Sequence, residues 1–271
     1  MIEQMEIICV GNELLIGKTL NTNARWIAEQ ATALGITVKR ITVVADAVNE
    51  IANAIRESLD RKPRFIITTG GLGPTFDDKT LEGIAEGLNR KLAINTEARR
   101  MVKEKYESYA MERGAVPVEL TRARLKMAKF PEKAKAIPNP VGTAPAAQLE
   151  MKHTVLIALP GVPSEMKAIF KDTLTPMINQ VSGGSSFYEE SVYVEGLMES
   201  SLAPLIERVM RDNIGVYVKS HPQGRESNSH IEVHVSVIAK DRETPERKLR
   251  DAVIQLSDLL REVGGTVKVF E

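Results

Sequence analysis

A mostly parallel α/β domain followed by a smaller α+β unit is the architecture this sequence predicts. Strand-like and helix-like patterns alternate as βαβαβα from Met5 to Leu88. A glycine-rich turn follows the third strand directly, and beyond Val181-Ser182-Gly183-Gly184-Ser185-Ser186 the order changes to βαββαβ. Alternation of the first kind calls for a parallel sheet with crossover helices. The second is the order of a split-βαβ sandwich.

Met5 to Gly11 is a short, nearly continuous apolar run, as expected for a strand buried on both faces. Thr22 to Leu34 carries Ala24, Ile27, Ala31 and Leu34 on one helical face, and Gly35 suits a left-handed cap. Thr37 to Val44 is β-branched and reads as a strand, and Asn49 to Leu59 as a helix with Ile51, Ile55 and Leu59 in phase. Phe65 to Thr69 is the third strand, and Leu81, Ile84, Ala85 and Leu88 mark the next helix. A charged helix is predicted from Thr96, as N-cap, to Arg113, with Gly114 past its end. Leu125 to Pro145 reads as loop and short strand, Thr154 to Leu159 as a strand, and Pro163 opens a helix to about Asn179.

After the linker, strands are expected at Tyr188–Val194, Gly215–Ser220, Ile231–Ile238 and Val267–Phe270, with helices at Ser200–Arg211 and from Thr244 to Gly264. Thr244 is the expected cap of the last helix. The domain boundaries are 1–181 and 187–271.

The bulk numbers exclude several classes. Lys+Arg and Asp+Glu both count 36, so no basic excess suits a nucleic acid, which is not an expected partner. No apolar run reaches the ~18–20 residues of a membrane span, and the acidic amino terminus lacks a signal-peptide core, so a cytoplasmic location is the expectation. Cys9, the single cysteine, reads as a small buried hydrophobe. Trp26 reads as packing. His153, His221, His230 and His234 read as structural.

The chemistry concentrates in Thr69-Gly70-Gly71-Leu72-Gly73-Pro74-Thr75-Phe76-Asp77-Asp78. Glycines after a strand let main-chain amides converge on an anion, and a helix starting beyond them adds positive potential. Thr69 and Thr75 offer hydroxyls. Two aspartates beside a phosphate site imply an intervening cation or recognition of ligand N–H groups. One of them is equally placed to cap the helix that starts at Thr80, leaving the other for the ligand. The stretch Gly11 to Asn23 brings Asn12 and Glu13 to the same sheet edge, with Asn21 to Asn23 able to cap a helix, and Asp46 ends the second strand on that side. Pro138-Asn139-Pro140-Val141-Gly142-Thr143-Ala144-Pro145 can form a wall against a planar group, with Asn139 and Thr143 as small donors, or a plain surface turn.

Four motifs in this order resemble the amino-terminal part of the competence-damage-inducible protein A (CinA) family. They are Gly11–Gly17 with Asn21-Thr22-Asn23, Thr69–Thr75 with Asp77-Asp78, Asn139–Pro145, and Leu159–Glu165 with its Pro160-Gly161-Val162-Pro163-Ser164 core. The resemblance implies a three-layer α/β/α domain like the molybdopterin-binding fold and a KH-like second domain. The latter lacks a G-x-x-G clamp at His221–Arg225, so a scaffold or oligomerisation role is expected of it. It also implies a divalent-metal-dependent pyrophosphatase acting on ADP-ribose-like dinucleotides. In that reading Asp77, Asp78 and Glu13 bind Mg²⁺ or Co²⁺ and carry the chemistry. The ligand side comprises Thr69, Gly70, Gly71, Leu72, Gly73, Thr75, Asn12, Asp46, Asn139, Gly142, Thr143, Pro160, Gly161 and Ser164. The same pocket could serve a pterin phosphate or adenylyl transfer in molybdenum-cofactor assembly, or a protein that binds without turnover. A homo-oligomer is expected. The deamidase domain that follows in full-length bacterial members is not found before Glu271, so no deamidase activity is expected.

Overall fold

The computed structural model describes residues 3–112, 119–223, 230–239 and 243–269. They form two compact units, Met1–Thr32 with Ile36–Val181, and Ser182–Glu271 with Ala33–Gly35. The first unit opens with β1 (Gln4–Val10), a single turn α1 (Asn12–Leu15), α2 (Thr22–Ala33), β2 (Thr37–Val44), α3 (Val48–Arg61), β3 (Phe65–Thr69) and α4 (Thr80–Gly87). It continues through β4 (Leu92–Ile94), α5 (Thr96–Glu112), α6 (Arg122–Lys126), β5 (Lys129–Pro131), β6 (Lys135–Ile137), β7 (Ala146–Glu150) and β8 (Val155–Leu159). It closes with α7 (Pro163–Ile169), a π-helical turn at Phe170–Leu174, and α8 (Thr175–Ser182).

The main sheet has the order β2-β1-β3-β8-β7-β6. Its first four strands are parallel, and β7 and β6 add an antiparallel edge. Ile8, Val10, Ile66, Leu156 and Ala158 pack under α3, α4 and α5 through Ile51, Ile55, Ile84 and Val102. The alternate residues Ile7, Cys9, Ile67 and Ile157 are buried on the opposite face, as are Ile27 and Ala31 of α2 and Phe170 and Ile178. There Trp26 meets Phe170 edge-on at 5.3 Å, the packing role expected of it. Cys9 is fully buried, and burial pushes its thiol pKa up.

Several expectations needed correction. Asn95, not Thr96, caps α5, its Oδ1 accepting from the Ala98 amide at 2.9 Å. Gly114 and Arg113 lie outside the described residues. The helix opened by Pro163 is interrupted by the π-turn and runs to Ser182. β4 and β7 had no visible signal. β7 is Ala-Ala-Gln-Leu-Glu, poor in strand formers, and becomes a strand because β8 pairs along it.

The second unit consists of β9 (Ser186–Glu195), α9 (Glu199–Asp212), β10 (Val216–Gln223), β11 (His230–Ala239), α10 (Glu243–Glu262) and β12 (Thr266–Val269). Its antiparallel sheet has the order β10-β11-β9-β12. Val192, Val194, Ile231, Val233, Val235 and Val237 face Leu202, Leu249 and Leu256 of the helices. α10 starts one residue before Thr244, so that threonine is inside the helix rather than its cap. β10 extends through Pro222, where the sequence suggested a loop; an edge strand tolerates the missing N–H. The histidines on the open face meet acids: His230 Nδ1 is 3.3 Å from Glu195, and His234 lies 3.2 Å from Glu189 and 3.1 Å from Glu232. No described helix is long and apolar enough to cross a membrane.

Candidate functional site

The glycine turn leaves the sheet at its carboxyl edge and is clamped at its base. The Gly70 amide continues the strand ladder by donating to Leu159 O at 3.1 Å. Thr80, the first residue of α4, donates its hydroxyl to Gly70 O at 2.7 Å and its amide to Gly71 O at 3.2 Å. Gly70 has φ of 103°, and a Cβ there would lie 2.2 Å from Val10 O. Leu72 is buried in the core and plugs the turn inward. Among the described residues, the amides of Gly71, Leu72 and Gly73 find no hydrogen-bond partner. The unoccupied donors are therefore those of residues 71 to 73, and Gly70, expected among them, is committed to the sheet. Thr80→Val removes the clamp and leaves Gly70 O without its donor. It is expected to cost about 1–3 kcal/mol, read from urea unfolding; a loss within error would show that the hydroxyl does not hold the turn.

Both threonine hydroxyls of the turn are engaged inside the protein. Thr69 Oγ1 is buried and donates to Pro160 O at 3.1 Å, while accepting from Asn23 Nδ2 at 3.2 Å. Asn23 Nδ2 also donates to Gly161 O at 2.8 Å, so this asparagine stitches the first turn of α2 to the loop after β8. The single Thr75 hydroxyl proton is shared between Asp77 and Asp78 Oδ2, the latter 2.5 Å from Oγ1, and the Thr75 amide donates to Asp78 Oδ2 at 2.7 Å. Neither aspartate caps α4, because the chain turns back at Thr75–Asp78 and both carboxylates reach Thr75. The Thr75 hydroxyl holds the Asp77 carboxyl below the usual carboxylate range. Lys126, arriving from α6, donates to Thr75 O. Burial lowers its pKa, against the opposing pull of Asp78. Nothing in the sequence singled this lysine out.

Four carboxylates from three strand ends share one electrostatic field. Asp46 Oδ2, just past β2, accepts from the Asn12 amide at 2.7 Å. Burial pushes the Asp46 carboxyl above its usual range against the opposing hydrogen bond from the Asn12 amide, and Glu13, Asp77 and Asp78 add to the rise. Asn12 thus contributes its main chain, and Asn21 caps α2 by accepting from the Ala24 amide at 3.1 Å. Among the described residues no three His, Cys, Asp or Glu side chains are arranged to hold an ion, so Glu13, Asp77 and Asp78 do not form a closed ligand set. Concentrated negative charge beside vacant amides fits the open arrangement usual for Mg²⁺, in which one or two carboxylates share the ion with ligand phosphate oxygens.

A cleft of about 140 Å³ is lined by Glu13, Leu20, Asn21, Gly70, Gly161 and Pro163 among others, whereas Gly71, Leu72, Gly73, Asp78 and Lys126 border a separate space of about 10 Å³. Asn139, Gly142 and Thr143 instead line a second cavity of about 240 Å³ against α5. Glu165 joins the loop of Asn139 to α7. Its Oε2 accepts from Asn139 Nδ2 at 2.7 Å, and a Cβ on Gly142 would lie 2.1 Å from its carboxyl carbon. Ser164, expected at the site, is exposed and its side chain makes no hydrogen bond among the described residues, whereas Glu165, the last residue of the same motif but not among the expected ligand residues, does.

Comparison with known proteins agrees with this architecture. The family model described as a probable molybdopterin binding domain matches residues 6–180. A protein of Metallosphaera sedula is 42% identical over 98% of this chain and 98% of its own length. One of Caldivirga maquilingensis is 47% identical over 95% and 97%. A crystal structure described as the protein CinA with unknown function, from Thermoplasma acidophilum, is 42% identical with a TM-score of 0.59. It covers 65% of this chain and 98% of that one.

Proposed function

We propose, from the premise that the chain belongs to the probable molybdopterin binding domain family, that it binds a phosphorylated pterin- or nucleotide-type ligand at the turn from Gly70 to Asp78. The observation that carries this reading is the run of three amides, Gly71 to Gly73, without partners among the described residues at the carboxyl edge of a parallel sheet. Amides in that position are fixed partial positive charges that bind an anion without reorganising.

The acidic field beside them favours hydrolysis of a diphosphate link as the reaction. A divalent cation held by Asp77 or Asp78 together with ligand phosphate oxygens would neutralise charge on the leaving phosphate. Asp46, its carboxyl pushed up by burial and by its acidic neighbours, is suited to take the proton of an attacking water. Water's oxygen forms the new P–O bond as the bridging P–O bond breaks, leaving two phosphate monoesters. The whole protein incubated with ADP-ribose and Mg²⁺ or Co²⁺ is expected to release AMP. Asp46→Asn is expected to lower that rate about 100-fold or more. Tight binding without product in either protein would reduce the function to binding, as in a cofactor-assembly or sensing role. Absence of binding to any phosphorylated pterin or nucleotide would end the proposal.

A further inference from the structure

A groove of about 800 Å³ in the second unit is walled by α10 on one side and by Glu189, Glu190 and Ser191 of β9 on the other, with Val269 of β12 at its end. It exists because the sheet edge is uneven. β11 pairs with β9 along its whole length, from Ser186 to Glu195. On the other side β12 pairs only with Val192 to Glu195, among the described residues. The main chain of β9 at Glu189–Ser191 therefore has no described strand beside it there. An open strand edge is a template for another strand.

The side chains of the groove are equally incomplete. Ser257 is 4% exposed, yet its hydroxyl has no hydrogen-bond partner. Buried polar groups left in that state are few in native proteins. Ile254 and Val269 keep 53% and 41% of their surface exposed. Two of the groove's charges are settled within α10, where Arg261 pairs with Asp258 at 3.1 Å. Glu189 lies on the opposite face of the sheet, 3.2 Å from His234. Glu190 shares the face of Val192 and Val194, toward the helices. Glu190 and Arg250 are both exposed and make no ion pair or hydrogen bond among the described residues. One free anion thus stands on the strand wall and one free cation on the helix wall.

A partner carrying a single sign of charge would satisfy one of these groups and repel the other. A second copy of the chain, related by a two-fold axis, satisfies both, because each contact is then made twice in opposite senses. We infer that this groove is a self-association surface in which two copies dock through the open edge of β9, with Arg250 of each copy meeting Glu190 of the other. Antiparallel pairing of the two edges joins the sheets and gives the open main-chain groups partners. The same docking covers Ile254 and the Ser257 hydroxyl. The inference is independent of the ligand read at residues 71–73.

Light scattering of the whole protein over a concentration series tests it, one chain having a mass of 29.9 kDa. Arg250→Glu and Glu190→Arg, both at exposed positions, are each expected to halve the mass at concentrations where the wild type is associated. That corresponds to a contact weakened about 100-fold or more, since like charges then face each other twice. Mixed in equal amounts, the two variants are expected to regain the wild-type mass, because each reversed charge meets its opposite on the other copy. Ile254→Asp is expected to dissociate the pair as well and to gain nothing from mixing with either. Thermal melting of each variant checks that it is folded, and Ile254→Asp decides the matter if a charge variant is not. A wild type of 29.9 kDa at every concentration, or variants that keep its mass, overturns the inference. Dissociation of both charge variants without recovery on mixing also overturns it, since the two charges would then not meet across copies.

Discussion

Gly70→Ala is expected to destabilise the first unit by about 2–5 kcal/mol, combining a strained left-handed backbone with an intrusion into packed main chain. At φ of 103° an L-residue is already unfavourable, and the added Cβ would lie 2.2 Å from Val10 O. Val10 is the last residue of β1, paired with Val44 of β2 and directly following Cys9, which pairs with both β2 and β3, so it cannot retreat without disturbing the sheet. The turn would move instead, displacing the unpartnered amides of residues 71 to 73 and weakening any phosphate ligand they hold. Gly17→Ala is the internal reference. Its φ is 70°, but nothing lies within 4 Å of the new Cβ, so the expected cost is about 1 kcal/mol. Chemical denaturation of the two variants decides the matter. Equal losses would show that the contact with β1 is not what requires glycine.

Arg61→Leu is expected to cost about 3 kcal/mol, because it strands a carboxylate inside the sheet. Glu6 interrupts the apolar run of β1 and is only 3% exposed. Arg61 grips it through two bonds of 2.7 Å. The low end of the range for broken buried pairs applies, since the Arg61 side chain keeps 34% exposure. Burial alone would raise the Glu6 pKa, but the hydrogen bonds and charge of Arg61 outweigh it and the net shift is downward. A depressed carboxyl stabilises the fold at pH values above its unfolded pKa of about 4.3. That contribution disappears as pH falls through the folded value. In Arg61→Leu the burial effect is unopposed by the guanidinium, so the gap between variant and wild type should narrow on acidification. The double variant Glu6→Leu, Arg61→Leu should recover most of the loss, because both charges are gone. A gap independent of pH, or a double variant as weak as the single one, would place the cost in lost packing of the arginine stem.

Much of the first unit could be read along the chain. β2 and β3 coincide with the predicted spans, and β1, α2 and α3 end within two residues of theirs. Their signals are local: apolar period, β-branching, and glycine where φ must be positive. The acidic cluster was readable in its members, since Glu13, Asp46, Asp77 and Asp78 all follow strands that end at one sheet edge. Its internal wiring was not. Asp77 and Asp78 were as well placed to cap α4 as to meet a ligand, yet both turn back to Thr75. Lys126 carried no mark in the sequence, and Asn23 and Glu165 stood in the motifs without these roles, because each matters through a partner far along the chain: Thr75, Gly161 and Asn139.

By itself, the sequence determined the two-part architecture, the alternation of strands and helices along the first unit, and the glycine turn. These follow from periodicity and from backbone angles that neighbouring residues dictate. Only the tertiary structure decided that Gly70 serves the sheet while residues 71 to 73 keep vacant amides, and that Asn139, Gly142 and Thr143 line a cavity of their own. It also decided that Asp46 is raised by burial and by three other acids. Hydrogen-bond commitment and electrostatic field depend on distances between residues remote in the chain, and those distances exist only once the sheet has assembled.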